Sequence, residues 1–343
     1  MKVIYSQDHQ LHFPRAELYG GEFVIPFERP SRIEFILARL RERGLTDIAP
    51  PAELDPAPLR KIHDAGFLSF LESCWDEWVA AGYRGEALPL IFPARRMQQR
   101  CPRHIDGKLS YYALANETAI TAGSWRAAQA SCAVVQTAQR LIADGERAAF
   151  ALCRPPGHHA ASDLYGGYCF LNNAAVAAQM FLDQGASRIA ILDIDFHHGN
   201  GTQDIFYQRS DVLFCSLHGQ PEDAFPHFLG YADETGSDAG AGYTHNFPLP
   251  PGTAFDRWGD ALDVALKRVR AYAPDALVVS LGVDTFKDDP ISFFKLDSPD
   301  YLAIGGRIGA LRCPALFVME GGYAIDAIGL NTVNVLEGFL DCS

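Results

Sequence analysis

Along the chain, short β-branched apolar runs alternate with longer amphipathic stretches. "KVIYS" opens the sequence, followed by "AAFALCR" (148–154), "RIAILDID" (188–195), "DVLFCSLH" (211–218), "ALVVSLGVD" (276–284) and "ALFVMEGGY" (315–323). Each is apolar without alternation, the mark of a strand covered on both faces and hence parallel to its neighbours. Between them run helical patterns at 31–44, 125–143, 172–184, 254–272 and 298–311. In the first, Ile33, Ile36, Leu37 and Leu40 share one face, Ser31 and Glu34 have capping-box spacing, and Gly44 supplies a stop. Such alternation predicts an α/β protein with a doubly wound, mostly parallel sheet and right-handed crossovers. No repeat, low-complexity tract or domain boundary interrupts it. Residues 84–124 are the least regular, and the Arg, Pro and Gln content of "FPARRMQQRCPRHIDG" predicts a long functional or interfacial loop.

Composition narrows the class. The 343 residues are 48% hydrophobic and 21% charged, as in a compact enzyme, which argues against disorder. A formal net charge of −13 disfavours nucleic acid and anionic membranes as partners and suits a cationic ligand. The eight cysteines contain no C-x-x-C pair, so neither a disulfide framework nor a zinc knuckle is expected. The start, "MKVIYSQDHQ", has too short an apolar run for a signal-peptide core, and no stretch is long enough to cross a bilayer. The expected location is the cytoplasm.

The chemistry sits where the predicted strands end. "CRPPGHHA", "DIDFHHGNG", "SLHG", "VDTF" and "EGGY" each close one apolar run. Parallel sheets bind ligands beyond the carboxyl ends of their strands, so five polar ends can build one pocket. Asp195 and His197, at i and i+2 of an extended segment, point the same way, and Asp284 supplies a third donor. Two carboxylates and an imidazole suit a divalent ion, zinc foremost and ferrous iron as the alternative, with open positions for water and substrate. Taken singly, either aspartate reads as a helix or turn cap; together the three favour the metal. The adjacent His158 and His159 follow a Pro-Gly turn that can aim both rings into one cleft for proton transfer. Asp193 can orient one ring and raise its pKa, while neutral Asn200 leaves the other lower. Tyr323, on a glycine-loosened turn, can donate to an oxyanion. Cys153 and Cys169 are expected to be inert core thiols, and "GSDAGAG" (236–242) lacks the flanking strand and helix of a dinucleotide loop.

"RPPGHHA", "GGYCFLNNAAVAA", "LDIDFHHGNGTQDIFY", "SLHG", "GVDTF" and "EGGY", in this order, resemble the motifs of the histone deacetylase superfamily. "AELYGGEFVIPFE", the 84–124 insertion and "DPISFFKL" are similar to its bacterial acetylpolyamine amidohydrolases. The resemblance implies a three-layer arginase–deacetylase fold of about eight strands, forming one catalytic domain over 1–343. It makes Asp195, His197 and Asp284 zinc ligands and His159, backed by Asn200, the base and acid. His158, beside Asp193, becomes an electrostatic partner, and Tyr323 polarises the carbonyl. Tyr168, Phe225 and Ile291 would line a narrow tunnel, and Glu117 and Asp106 would select a cationic tail. Two potassium or sodium sites are implied, one from Asp193, Asp195, His197, Ser216 and Leu217, the other from Phe206, Arg209, Val212 and Tyr243. A homodimer through the 84–124 loop is implied as well. The expected reaction is deacetylation of small acetylated polyamines such as acetylputrescine or acetylcadaverine by metal-activated water. Acetyl-lysine deacetylation and non-catalytic binding of acetylated amines are the alternatives.

Overall fold

A computed structural model describes residues 1–94, 96 and 98–342. Its strands are β1 (Lys2–Ile4), β2 (Glu17–Tyr19), β3 (Glu22–Val24), β4 (Ile48–Ala49), β5 (Ala148–Ala151), β6 (Ile189–Asp193), β7 (Val212–Gly219), β8 (Thr244–Leu249), β9 (Ala276–Leu281) and β10 (Ala315–Met319). Its helices are α1 (Ser31–Glu42), α2 (Pro56–Ile62), α3 (Ala65–Ala80), α4 (Ile105–Tyr111), α5 (Ser124–Ala143), α6 (Asn173–Asp183), α7 (Asn200–Phe206), α8 (Phe255–Tyr272), α9 (Ser298–Gly309) and α10 (Ile325–Asp341).

Eight strands form one sheet in the order β4-β1-β5-β10-β9-β6-β7-β8, and every neighbouring pair runs parallel. The apolar runs explain why. Successive side chains of a strand point to opposite faces, and here both faces are covered. Ala149, Ala151, Ile191, Val278, Leu316 and Val318 enter a core beneath α2, α3, α5 and α6. Phe150, Ala190, Leu192, Leu277, Val279 and Phe317 enter the opposite core beneath α1, α8, α9 and α10. The result is a three-layer α/β architecture. Among the described residues, no helix is long and apolar enough to cross a membrane.

Phe317 is fully buried on β10 and meets Phe339 of α10 edge-on, ring centroids 5.1 Å apart. Phe317→Ala should cost ~3–5 kcal/mol, read as a lower denaturant midpoint at unchanged m-value.

Three expectations need correction. Pro30 already has helical φ and ψ, so Ser31 lies inside the first turn and the Ser31–Glu34 capping box does not form. A capping box does form at Asp297 and Asp300, at the start of α9. The 84–124 insertion is also less irregular than its composition predicts. It contains α4, capped by His104, and an Ala87–Ile120 bridge closes its ends. Finally, β5 ends at Ala151, so Cys153 lies just beyond the strand, still buried.

Candidate active site

The ends of β5, β6, β9 and β10 bring the chemistry-bearing side chains together. Asp195 and His197 leave β6, Asp284 follows β9, and one ligand atom from each lies within 4.8 Å of the others, all three residues buried. His197 Nδ1 is 3.0 Å from Asp284 Oδ2 and 3.3 Å from Asp195 Oδ1. Backbone amides hold the carboxylates in place: Phe196 N–H donates to Asp284 Oδ1, Gly321 N–H to Asp195 Oδ2 and His197 N–H to Asp195 Oδ1. Glycine is required at 282, where any Cβ would overlap the Asp195 carboxylate. Two buried carboxylates this close repel each other unless a cation or proton lies between them. Burial and the neighbouring Asp195 raise Asp284 to about 8. Burial disfavours ionised Asp195 too, but His158 and His197 outweigh it and hold that carboxyl well below its ordinary value. An oxygen, oxygen, nitrogen set in this geometry can hold a divalent ion.

The tandem histidines follow β5 and lie 4.0 Å apart, centroid to centroid. His158 Nδ1 is 3.0 Å from Asp193 Oδ2, so Nδ1 keeps its proton and the carboxylate accepts the hydrogen bond. Burial opposes its charge, but Asp195 and Asp193 more than offset this and raise it to about 10. His159 Nδ1 is 2.7 Å from Asn200 Oδ1, which can only accept, leaving Nε2 with a free lone pair. Burial, reinforced by His158 and His197, lowers His159 well below the ordinary imidazole value. The two rings thus shift in opposite directions, one facing the Asp193 carboxylate and the other neutral Asn200. Gly167, at φ +56°, packs so closely on the His159 ring that a Cβ there would overlap it.

Tyr323 faces this group from the turn after β10. Asp289 Oδ2 accepts from the Tyr323 and Ala324 N–H groups, and the Arg32 guanidinium lies 4.9 Å over the phenol ring. A cavity of about 320 Å³ rises from His159, His197 and Tyr323. Tyr168, Phe225, Ile291 and Phe293 are among its lining residues. Phe225 stands edge-on to His159 at 5.1 Å, and Tyr168 edge-on to Tyr323 at 5.7 Å.

Glu117 lines the cavity, and its Oε1 also accepts from Gly167 N–H at 2.7 Å, which fixes the Tyr168 wall. Asp106, by contrast, sits in the first turn of α4 and is not among the cavity-lining residues of its own chain. Glu17 and Asp223 line the cavity instead, and the sequence reading missed both. Glu17 lies in the quoted "AELYGGEF", but only folding reveals that Tyr168 donates to its Oε1 at 3.0 Å. For the first implied cation site, Asp193 and Ser216 are register partners on β6 and β7, with Leu217 next along the strand. For the second, Arg209 N–H donates to Phe206 O just past α7 and its guanidinium lies over the Phe206 ring, while Val212 opens β7 and Tyr243 O accepts from Phe214 N–H. Burial pushes the Cys153 and Cys169 thiols well above their ordinary value, so neither is primed as a nucleophile.

At its strand ends the eight-stranded parallel sheet gathers a buried Asp–His–Asp cluster that could hold a metal ion beside paired histidines. The histone deacetylase domain matches residues 26–339, and this chain belongs to the histone deacetylase superfamily. Within it, the chain falls among the bacterial acetylpolyamine amidohydrolases. It is 59% identical to acetylpolyamine amidohydrolase of Mycoplana ramosa, over 98% of this chain and 99% of the relative. It is 54% identical to acetylpolyamine amidohydrolase 2 of Pseudomonas aeruginosa, over 99% and 98%. The crystal structure of acetylpolyamine aminohydrolase from Burkholderia pseudomallei superposes with a TM-score of 0.95 at 38% identity, over 100% of this chain and 99% of the other.

Proposed function

We propose that this chain acts as one catalytic domain, hydrolysing the acetyl amide of small acetylated polyamines such as acetylputrescine or acetylcadaverine. The observation that carries this reading is the Asp195–His197–Asp284 cluster, whose His197 lines an aromatic-walled cavity also lined by the carboxyls of Glu17, Glu117 and Asp223. A zinc ion on those three ligands, with ferrous iron the alternative, would polarise the amide carbonyl and acidify a water molecule. His159 Nε2 takes the proton of the attacking water and returns one to the departing amine. Charged His158, oriented by Asp193, stabilises the negative charge that develops, and Tyr323 donates its phenolic hydrogen to the carbonyl oxygen. Tyr168, Phe225 and Ile291 sheathe the methylene chain, and the mouth carboxylates hold the distal ammonium. Potassium or sodium at the two implied sites is structural.

We assign the protein to the cytoplasm and to a homodimer built through the 84–124 segment. The dimer is supported by large apolar side chains left in water there: Leu90 and Ile91 are 77% and 66% exposed. Contiguous exposed apolar surface marks association sites.

The substrate claim is tested by assaying zinc-loaded protein against acetylated diamines of increasing length and against acetyl-lysine peptides. Diamines should give the higher kcat/KM; faster peptide turnover overturns the assignment.

A pH dependence follows at the mouth. Burial raises Glu17 to about 7, despite hydrogen bonds from Tyr168 and Phe27 N–H that favour its ionised form. The carboxyl is neutral below that value and anionic above it, whereas an alkyl ammonium stays charged throughout. Affinity for a product diamine should therefore rise as pH increases from about 6 to about 8, and Glu17→Gln should flatten the calorimetric profile.

A further inference from the structure

Glu320 is the first residue after β10, opens the "EGGY" turn and is fully buried. Its Oε2 accepts from two backbone amides of the tandem-histidine turn, Gly157 N–H at 2.6 Å and His158 N–H at 3.2 Å. Its carbonyl oxygen accepts from Arg32 Nη2, and Arg32 Nε donates to Gly322 O at 2.7 Å. The next residue, Gly321, donates its N–H to Asp195 Oδ2 at 2.7 Å. Two adjacent positions, Glu320 and Gly321, thus connect the histidine turn, a metal-ligand candidate and the tyrosine turn.

The sheet explains why such a connection is needed. β5 and β10 are neighbours, but their ladder ends at the Val318–Ala151 pair. Beyond it the two chains diverge into the turns that carry His158 and His159 on one side and Tyr323 on the other. The Glu320 side chain takes over where the ladder stops. Stability alone does not account for a carboxylic acid here. Its Oε1 is buried without a hydrogen-bond partner, and an unsatisfied buried polar atom costs about 1–3 kcal/mol.

We propose that Glu320 is a positioning residue for the reaction: its carboxyl oxygen clamps the tandem-histidine turn to the tyrosine turn and so fixes the distance between His159 and Tyr323 across the substrate carbonyl. This rests on the hydrolase reading of the same site. The role needs an acceptor oxygen of the right reach, not a charge. Misplacing reacting groups by about 1 Å can cost on the order of 10²-fold in rate, and the penalty falls on kcat because the cavity mouth and walls are untouched.

The test compares Glu320→Gln, Glu320→Asp and Glu320→Ala for kcat, KM, zinc content and amide hydrogen exchange. Glutamine keeps the oxygen and the reach, so kcat should stay within about threefold of the original. Aspartate, one methylene shorter, cannot reach both amides and should lose on the order of 10²-fold in kcat. For aspartate, KM and zinc content should be unchanged. Exchange at Gly157 and His158 should be slow in the parent and the Gln variant and fast in the Asp variant. That readout needs no turnover, so it separates failure of the clamp from failure of the hydrolase reading. Alanine should behave as aspartate does, and if it fails to fold, the Gln and Asp pair still decides. The proposal is overturned by parent-like kcat in Asp, by Gln as impaired as Asp, or by exchange at Gly157 and His158 indifferent to all substitutions.

Discussion

Asp195→Ala should lower kcat more than about 10³-fold, beyond the loss expected from removing any single oxyanion donor. Zinc content should fall from about one per chain to near zero, because two ligands cannot hold a site built for three. The side chain does several jobs at once. It lies 3.3 Å from His197 Nδ1 and accepts from the amides of His197 and Gly321. Alanine would orphan both buried amides and destabilise the fold as well. Asp195→Asn separates the effects: its carboxamide still accepts a hydrogen bond but is a poor metal ligand. Asn should therefore recover much of the stability and little of the zinc or activity. Plasma emission spectrometry and steady-state kinetics on the two variants check this. Full zinc content in Asp195→Ala would remove that residue from the ligand set.

Replacing His159 gives the second large effect. Its Nδ1–H is committed to Asn200 Oδ1, so Nε2 is the free lone pair, and burial, reinforced by His158 and His197, favours the neutral ring. His158 Nδ1–H is committed to Asp193 Oδ2, and that carboxylate favours the charged ring, a form with no lone pair to offer. A general base contributes about 10²–10⁴-fold, so His159→Ala should lose kcat in that range with little change in KM. His158→Ala removes an electrostatic partner and should lose less. Single-turnover rates with both variants decide the assignment. A larger loss at His158 would reverse the roles.

The six strands read as continuous apolar runs were legible because both faces of each are covered, so alternation vanishes and only length and β-branching remain. β4 is two residues long, and β8 (THNFPL) is an edge strand containing Pro248; neither carries such a run. α10 was hidden by its polar interior: Asn331, Thr332 and Asn334 are buried among its apolar positions and blur the helical stripe. α3 went unread although its stripe of Phe67, Phe70, Leu71, Cys74 and Trp78 is as plain as that of α5.

The site divides in a similar way. Asp195, His197, Asp284, His158, His159 and Tyr323 stand at strand ends, where sheet topology forces convergence whatever the intervening sequence. Glu17, Asp289 and Glu320 act through partners distant in the chain, Tyr168, Tyr323 and the Gly157 turn respectively, and no local pattern encodes those meetings. Asp106, placed at the mouth by resemblance, lies in the first turn of α4 and outside the cavity lining of its own chain.

The convergence of Asp195, His197 and Asp284 on one cation is tested most directly by anomalous diffraction at the zinc absorption edge, from crystals of zinc-loaded protein. The account predicts one strong peak about 2.0–2.2 Å from an oxygen of each aspartate and from a His197 ring nitrogen. A map without a peak there, or with its peak on other residues while these three side chains hold only one another, would contradict it.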